Sequence, residues 1–171
     1  MASLGHVAVG AAAARMWCGA DARPRERIAA TIGFAALSLA PDLDVIAFAL
    51  RIPYEAPFGH RGATHALATA LVLGVTVGLA FRNRRHLAFW ATLVLMSHGL
   101  LDTLTDGGLG VALLWPFDTA RYFAPVRPLP VAPIGVGMLS ARGLFVTIVE
   151  LIAFLPFWLV ALWPRRPLLR Q

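Results

Sequence analysis

Residues 97–108 read SHGLLDTLTDGG and follow an apolar run, HLAFWATLVLM. His98 and Asp102 are four residues apart, so they share one face of any helix that continues through them. An imidazole and a carboxylate on one face can bind the same divalent ion. An aspartate at the centre of a membrane-spanning helix costs about 2.5–3.5 kcal/mol, so such groups are usually paired and functional. The pair therefore indicates a site.

Other apolar runs also carry acids and imidazoles. Read as membrane spans, these runs place seven such residues in one outer layer of the bilayer: His6, Asp42, Asp44, His60, His65, His98 and Asp102. Arg61 is the only arginine expected at that level, so the carboxylates need a further cation. Histidine and aspartate are suitable ligands for a divalent metal, and we expect zinc or manganese.

Each member of this layer receives a predicted role. The expected metal ligands are His6, Asp42, Asp44, His65, His98 and Asp102. Two neighbours are assigned to catalysis: His60 as the general acid, unless it is a further ligand, and Arg61 as a clamp on a phosphate oxygen. Pro41 is expected to break its helix, which allows Asp42 and Asp44 to reach one cavity.

Taken singly, these residues have structural explanations. His98 and Asp102 can form a hydrogen-bonded pair between helices, and His6 can lie at the membrane interface. The acids after Pro41 can cap a helix, where the helix dipole favours them. Asp106, before two glycines, is typical of a turn. The metal site is preferred because ligands that share an ion avoid the cost of isolated intramembrane charges.

The composition is that of a membrane protein. Of 171 residues, 58% are hydrophobic and 14% are charged, against roughly half and a quarter in soluble domains. The fifteen basic residues are all arginines in short clusters, so the pI of about 11.2 does not indicate nucleic-acid binding. The single cysteine excludes an internal disulfide, and the N-terminus lacks the basic region of a signal peptide.

The predicted fold is all-α: one polytopic membrane domain, residues 1–171. The spans, at about 20 residues per crossing, are expected at about 3–17, 28–50, 62–81, 86–105 and 144–163. The proline- and glycine-rich segment 106–141 is expected to form an extracytoplasmic loop over the site. Ten arginines lie on one side of these spans and five on the other. The positive-inside rule then places the N-terminus outside, the C-terminus in the cytoplasm and the site near the periplasmic face of a bacterial inner membrane.

The chain resembles the YdjM/YbcI-like family of bacterial proteins. The resemblance covers about residues 1–120 and rests on His6 in a run of small residues and on four motifs: PDLD at 41–44, HRGATH at 60–65, SHGLLDTLT at 97–105 and WPF at 115–117. It implies an inner-membrane, metal-dependent hydrolase. The family is also described as LexA-binding, which would require a cytoplasmic contact surface; only short arginine-rich loops are expected there, so the protein partner stays unknown.

The expected function is therefore metal-dependent hydrolysis, with a phosphoester of a membrane lipid or lipid-linked molecule as the substrate. A divalent ion would activate water and stabilise charge at the attacked centre. The absence of an HExxH motif excludes the helix-borne arrangement of zinc proteases. Two alternatives stay open: a divalent-metal transporter, and a non-enzymatic membrane adaptor whose metal is structural.

Overall fold

The computed structural model of the chain describes residues 3–81 and 84–164. Within those ranges the structure is helical, with two isolated β-bridges and no β-strand, which confirms the all-α class. The α-helices are α1 (Ser3–Trp17), α2 (Pro24–Leu39), α3 (Ile46–Ala49), α4 (Leu67–Leu79), α5 (Arg84–Asp102), α6 (Ala141–Ala153) and α7 (Leu155–Leu162). Short 3-10 helices lie at Ala40–Val45, Ala63–His65 and Gly135–Leu139.

Helix α1 lies at the centre of the molecule and contacts α2, α5, α6 and α7. Its buried face consists of glycines, alanines and His6, small side chains that let neighbouring backbones approach closely. A Cβ atom on Gly10 would lie 2.6 Å from the carbonyl oxygen of Phe34, and one on Gly5 would lie 2.6 Å from the ring of Phe154. The small residues of α1 therefore determine how closely the surrounding helices pack.

Two apolar clusters hold α1 in place. One contains Ala8, Leu129 and Phe154 and joins α1 to the loop before α6 and to the junction of α6 with α7. The other, at the opposite end of α1, contains Ala13, Ala14, Phe34 and Val94 and joins α1 to α2 and α5.

The second span differs from the prediction in its bounds. Residues Pro24–Ala49 together are long and apolar enough to cross a membrane, whereas 28–50 was expected. Pro24, in the first turn, starts the segment earlier, because a proline there loses no helical hydrogen bond. As predicted, the α-helix is interrupted at Pro41, since α2 ends at Leu39, and donor atoms of Asp42 and Asp44 lie within 4.8 Å of each other. The span nevertheless continues through a 3-10 helix, Ala40–Val45, into α3.

The fifth predicted span, 144–163, is not one straight helix. Helices α6 and α7 are bent by 64° at Phe154. Neither is long enough to cross a membrane alone, but the two together are long and apolar enough to do so. Pro156 stands in the first turn of α7. A proline there lacks the N–H of a continuous helix and clashes with the preceding turn, which accounts for the bend.

The remaining predicted spans contain helices, but within the described residues none of these helices is both long and apolar enough to cross a membrane. Five spans are therefore not confirmed. The first, 3–17, coincides with α1, which has only 15 residues. The third, predicted over 62–81, is helical only at Leu67–Leu79, because His65 lies in a 3-10 turn and Ala66 is extended. Its 13 residues span about 20 Å, against a hydrocarbon core of about 30 Å. The fourth, 86–105, is helical at Arg84–Asp102, with polar residues at both ends.

Helices α4 and α5 pack closely at Gly74, which provides a test of the fold. A Cβ atom on Gly74 would lie 2.6 Å from the backbone of Thr92, while one on Gly33 of α2 would meet nothing within 4 Å. We expect Gly74→Ala to lower the free energy of unfolding by about 1–3 kcal/mol, the usual cost of overpacking. Gly33→Ala, the matched control, is expected to be neutral or stabilising, since alanine favours helix. Thermal unfolding in detergent compares the two, and equal stabilities would contradict the packing described.

Candidate metal centre

Four polar side chains from three parts of the chain meet in one cluster. Asp42 comes from the 3-10 helix after α2, His65 from the 3-10 turn before α4, and His98 and Asp102 from the last turns of α5. One donor atom from each lies within 4.8 Å of the other three. We call these four residues the inner cluster.

The donor separations in the inner cluster fit a small divalent ion. The two histidine Nε2 atoms are 3.1 Å apart, and Asp42 Oδ1 lies 3.6 Å from Nε2 of His65 and 3.4 Å from Nε2 of His98. Asp102 Oδ2 lies 3.4 Å and 3.9 Å from the same two nitrogen atoms. Donors about 2.1 Å from a tetrahedral ion are separated by roughly 3.4 Å, so the spacing and the two-nitrogen, two-oxygen set suit zinc. Manganese accepts the same donor types.

Hydrogen bonds on the far side of each imidazole orient it toward the cluster. His98 Nδ1 lies 2.6 Å from the carbonyl oxygen of Ser38. A carbonyl can only accept, so Nδ1 carries the proton and Nε2 presents its lone pair to the cluster. His65 Nδ1 lies 3.1 Å from Asp44 Oδ2, which has the same consequence. Such outer partners fix the tautomer and orientation of metal-binding histidines.

Asp44, predicted as a ligand, lies one layer farther out. Its carboxylate accepts hydrogen bonds from the backbone N–H of Arg61 at 3.0 Å and from Thr64 Oγ1 at 2.6 Å. It also lies 2.6 Å from His60 Nδ1 and contacts His65. These contacts make Asp44 an anchor for the 60–65 turn. Asp42, Asp44 and His60 also form a second group of donors within 4.8 Å, which would share Asp42 with the inner cluster.

His60 and Arg61, predicted as catalytic, lie beside the inner cluster. Arg61 Nε is 3.1 Å from Asp102 Oδ2, and its Nη1 donates to Thr105 Oγ1 at 2.8 Å. Its backbone has a φ of 58°, in the left-handed region that is uncommon for residues other than glycine. The Asp44 carboxylate and the Ala112 N–H, which donates to the Arg61 carbonyl at 3.0 Å, hold this conformation. Strained backbone of this kind is concentrated at functional sites.

His6, also predicted as a ligand, is buried next to the inner cluster but is not grouped with it. Its ring stacks on that of His98, with centroids 3.6 Å apart, and its Nε2 lies 3.5 Å from Asp102 Oδ1. Neither ring nitrogen has a hydrogen-bond partner within residues 3–81 and 84–164. A buried imidazole without such a partner is unusual, and an ion bound by Asp102 would satisfy Nε2, the ring nitrogen that lies near that carboxylate.

His86, the remaining histidine of the chain, lies at the start of α5, about three turns before His98. It accepts a hydrogen bond from Trp90 Nε1 at 3.0 Å and stacks on Trp17. The acidic residue at 150 has a structural contact, since Glu150 Oε2 accepts a hydrogen bond from the Gly5 N–H at 3.0 Å and so ties α6 to the start of α1. Asp106, expected in a turn, accepts from the Val131 N–H at 2.6 Å.

A cavity of about 500 Å³ reaches the cluster from one side. Asp42 is the inner-cluster residue that lines it, and its side chain is 27% exposed, against 2% for Asp102 and 0% for the two histidines. His60, Arg61 and Tyr54 also line this cavity. Its volume is within the range of small-molecule sites, about 300–1,000 Å³.

Two residues that shape the site were missed by the sequence analysis. Arg121 donates to the backbone carbonyl oxygens of Tyr54, His60 and Gly110 at 2.7, 3.1 and 3.2 Å, and so joins two loops around the cavity. The ring of Tyr54 packs edge-on against His60 with centroids 5.3 Å apart. Burial raises the pKa of Tyr54 above its ordinary value, so its hydroxyl stays protonated and able to donate. Neither residue belongs to a pattern of spacing that sequence could reveal.

Comparison with known proteins shows the family to which the chain belongs. A family model described as "YdjM inner membrane protein" matches residues 1–166, and the chain therefore belongs to this family. It is 40% identical over 139 residues to the inner membrane protein YbcI of Escherichia coli strain K12, which covers 76% of this chain and 80% of that protein. No solved structure shows significant similarity to the chain.

The two layers of the site predict different losses of metal affinity. His98→Ala removes an inner donor, and we expect it to abolish stoichiometric zinc or manganese binding. Asp44→Asn removes only an outer partner. We expect it to raise the dissociation constant for the metal about 10–100-fold, the usual effect of such changes. His86→Ala is the matched histidine control and should bind like the wild type. Metal content and titration of the purified protein measure all three, and full binding by His98→Ala would contradict the site.

Proposed function

We propose that this protein is a membrane-embedded, metal-dependent hydrolase that acts on a phosphoester of a lipid or lipid-linked substrate. The observation that carries the proposal is the opening of the inner cluster to the cavity at Asp42, since a catalytic ion needs a position that substrate or water can reach. Membership of an inner-membrane family supports a lipid as the substrate, because lipid phosphates are abundant at that location.

Each residue of the site has a role in this reaction. Asp42, His65, His98 and Asp102 would hold the ion, with His6 as a further ligand. When bound, the ion would act as a Lewis acid that lowers the pKa of a water molecule and neutralises developing negative charge. Asp44 keeps a proton on Nδ1 of His65 and thereby leaves its Nε2 for the metal.

The catalytic roles fall to the two residues beside the cluster that face the cavity. His60 Nδ1 is bonded to Asp44, so its Nε2 is the nitrogen that exchanges a proton with the substrate. This arrangement suits a general acid that protonates the leaving alkoxide. Arg61 holds Asp102 through Nε and is one of the residues that line the cavity, so it is the cation proposed to bind a phosphate oxygen there. The enclosed position of the cluster supports catalysis over transport.

The second candidate function is that of an adaptor with a structural metal. Four protein donors at tetrahedral spacing are typical of structural zinc, and this observation favours it. The two functions differ in that only the hydrolase converts a substrate, whereas the adaptor binds the metal without catalysing a reaction.

The test is chelator-sensitive release of phosphate from phosphatidic acid by the protein in nanodiscs. We expect Asp42→Ala to lose the metal and to lower the rate by more than about 100-fold, beyond what loss of an outer partner causes. His60→Gln is expected to keep the metal but to lower kcat by about 100–10,000-fold, since it removes the general acid. His86→Ala is the control for both. If Asp42→Ala lost its metal and kept the wild-type rate, catalysis by the ion would be excluded.

We further propose that the chain lies in the bacterial inner membrane with its N-terminus outside and its C-terminus in the cytoplasm, so that the site opens near the periplasmic face. In a Cys18→Ala background, Thr119→Cys is expected to react with a membrane-impermeant maleimide in intact cells, because Thr119 is exposed in the 106–141 loop on the proposed outer side. Arg85→Cys, on the proposed cytoplasmic side, is the matched control and should react only after lysis. The reverse labelling pattern would invert the topology.

A further inference from the structure

The cavity beside the inner cluster has two chemically different walls. One wall is polar and holds Asp42, Tyr54, His60 and Arg61. The other wall is apolar and is formed mainly by residues 131–139, with Val131, Ala132, Pro133, Ile134 and Met138 lining it. A cavity of this kind fits a molecule with an anionic group at one end and hydrocarbon next to it.

The apolar wall is attached firmly to the polar one. Asp106 Oδ1 accepts from the Val131 N–H at 2.6 Å, and the Asp106 N–H donates to the Leu129 carbonyl at 2.9 Å. The next residue, Gly107, accepts a hydrogen bond from Arg61 Nη1 at 3.2 Å. A Cβ atom on Gly107 would lie 2.7 Å from the Val131 side chain. The 131–139 segment is therefore held at a defined distance from the cationic group of Arg61.

The outer surface of the 131–139 segment is also apolar. Val136 and Leu139 are 87% and 91% exposed, and Ile134 is half exposed. In water this surface would be unfavourable, since each large apolar side chain gains about 1.5–3 kcal/mol when removed from water. The segment leads directly into α6, whose residues Leu144 and Phe145 are exposed as well. Exposed apolar side chains therefore occur both on the cavity-lining segment and on the helix pair that is long enough to cross a bilayer.

We propose that the 131–139 segment binds the hydrocarbon chain of a lipid phosphate whose headgroup lies against Arg61 and the inner cluster. This inference rests on the proposed function and adds the element that selects the substrate. The chain enters from the bilayer across Ile134 and Met138, past the exposed apolar side chains of the segment. Water-soluble phosphoesters lack a hydrocarbon chain, so contacts with the 131–139 segment add nothing to their binding.

The first test compares two substrates and two matched variants in nanodiscs. Ile134→Ser is expected to lower kcat/KM for dioleoyl phosphatidic acid by about 10-fold or more, the usual loss for a truncated apolar contact. Its kcat/KM for p-nitrophenyl phosphate should be unchanged. Ile32→Ser, an equally exposed isoleucine on α2, is the control and should affect neither substrate. Unchanged hydrolysis of the lipid by Ile134→Ser, or an equal loss for both substrates, would overturn the proposal.

The second test does not depend on turnover. A phosphatidic acid that carries a diazirine in its acyl chain is photo-crosslinked to the wild-type protein, and the labelled peptides are mapped. We expect labelling within residues 131–139 that excess dioleoyl phosphatidic acid suppresses and that a diazirine-bearing phosphatidylcholine of the same chain does not reproduce. Equal labelling by both lipids, or no competable label in the segment, would overturn the proposal. If neither substrate is hydrolysed by the wild type, the proposed function fails, and this mapping alone decides the lipid-binding role.

Discussion

The constraint on which the structure depends is the burial of ionisable groups inside an apolar chain. An isolated buried charge is too costly to keep, so each such group must find partners. Asp102, at the end of α5, has contacts with His98 of the same helix, with His6 of α1 and with Arg61 and His65 of the 60–65 turn. Each segment must therefore reach the same point. The polar centre thus determines the relative positions of the helices, and apolar packing between them then completes the fold.

Close packing of small residues follows from this constraint. His6 can stack on His98 only if α1 approaches α5, and the glycine and alanine face of α1 permits that approach. On α5, a Cβ atom at Gly99 would lie 2.2 Å from the carbonyl oxygen of His65, so the turn that carries His65 also requires a glycine opposite it. The small residues are therefore part of the site, because they set the distances between its donors.

The site separates residues that bind from residues that orient. The inner cluster offers two imidazole nitrogens and two carboxylate oxygens, while Asp44 and the Ser38 carbonyl hold the imidazoles from behind. This arrangement leaves the cluster enclosed except where Asp42 faces the cavity. Enclosure raises the strength of electrostatic interactions within the site, and a single opening controls which molecules reach it. Both properties suit hydrolysis of a substrate drawn from the bilayer.

The all-helical class and the candidate site residues could be predicted from the sequence, because apolar runs interrupted by acids and histidines are visible in one dimension. The bounds of α1 could also be predicted, and they match the structure. Only the tertiary structure decided that Asp44 lies behind His65, that Arg121 joins two loops and that α6 and α7 meet at a 64° bend. These features depend on which segments meet in space, and residue spacing along one helix carries no information about contacts between distant loops. For the same reason, the number of membrane spans could not be counted from apolar runs: the 3-10 turn at His65 delays the start of α4, and the bend at Phe154 divides the last run into two helices.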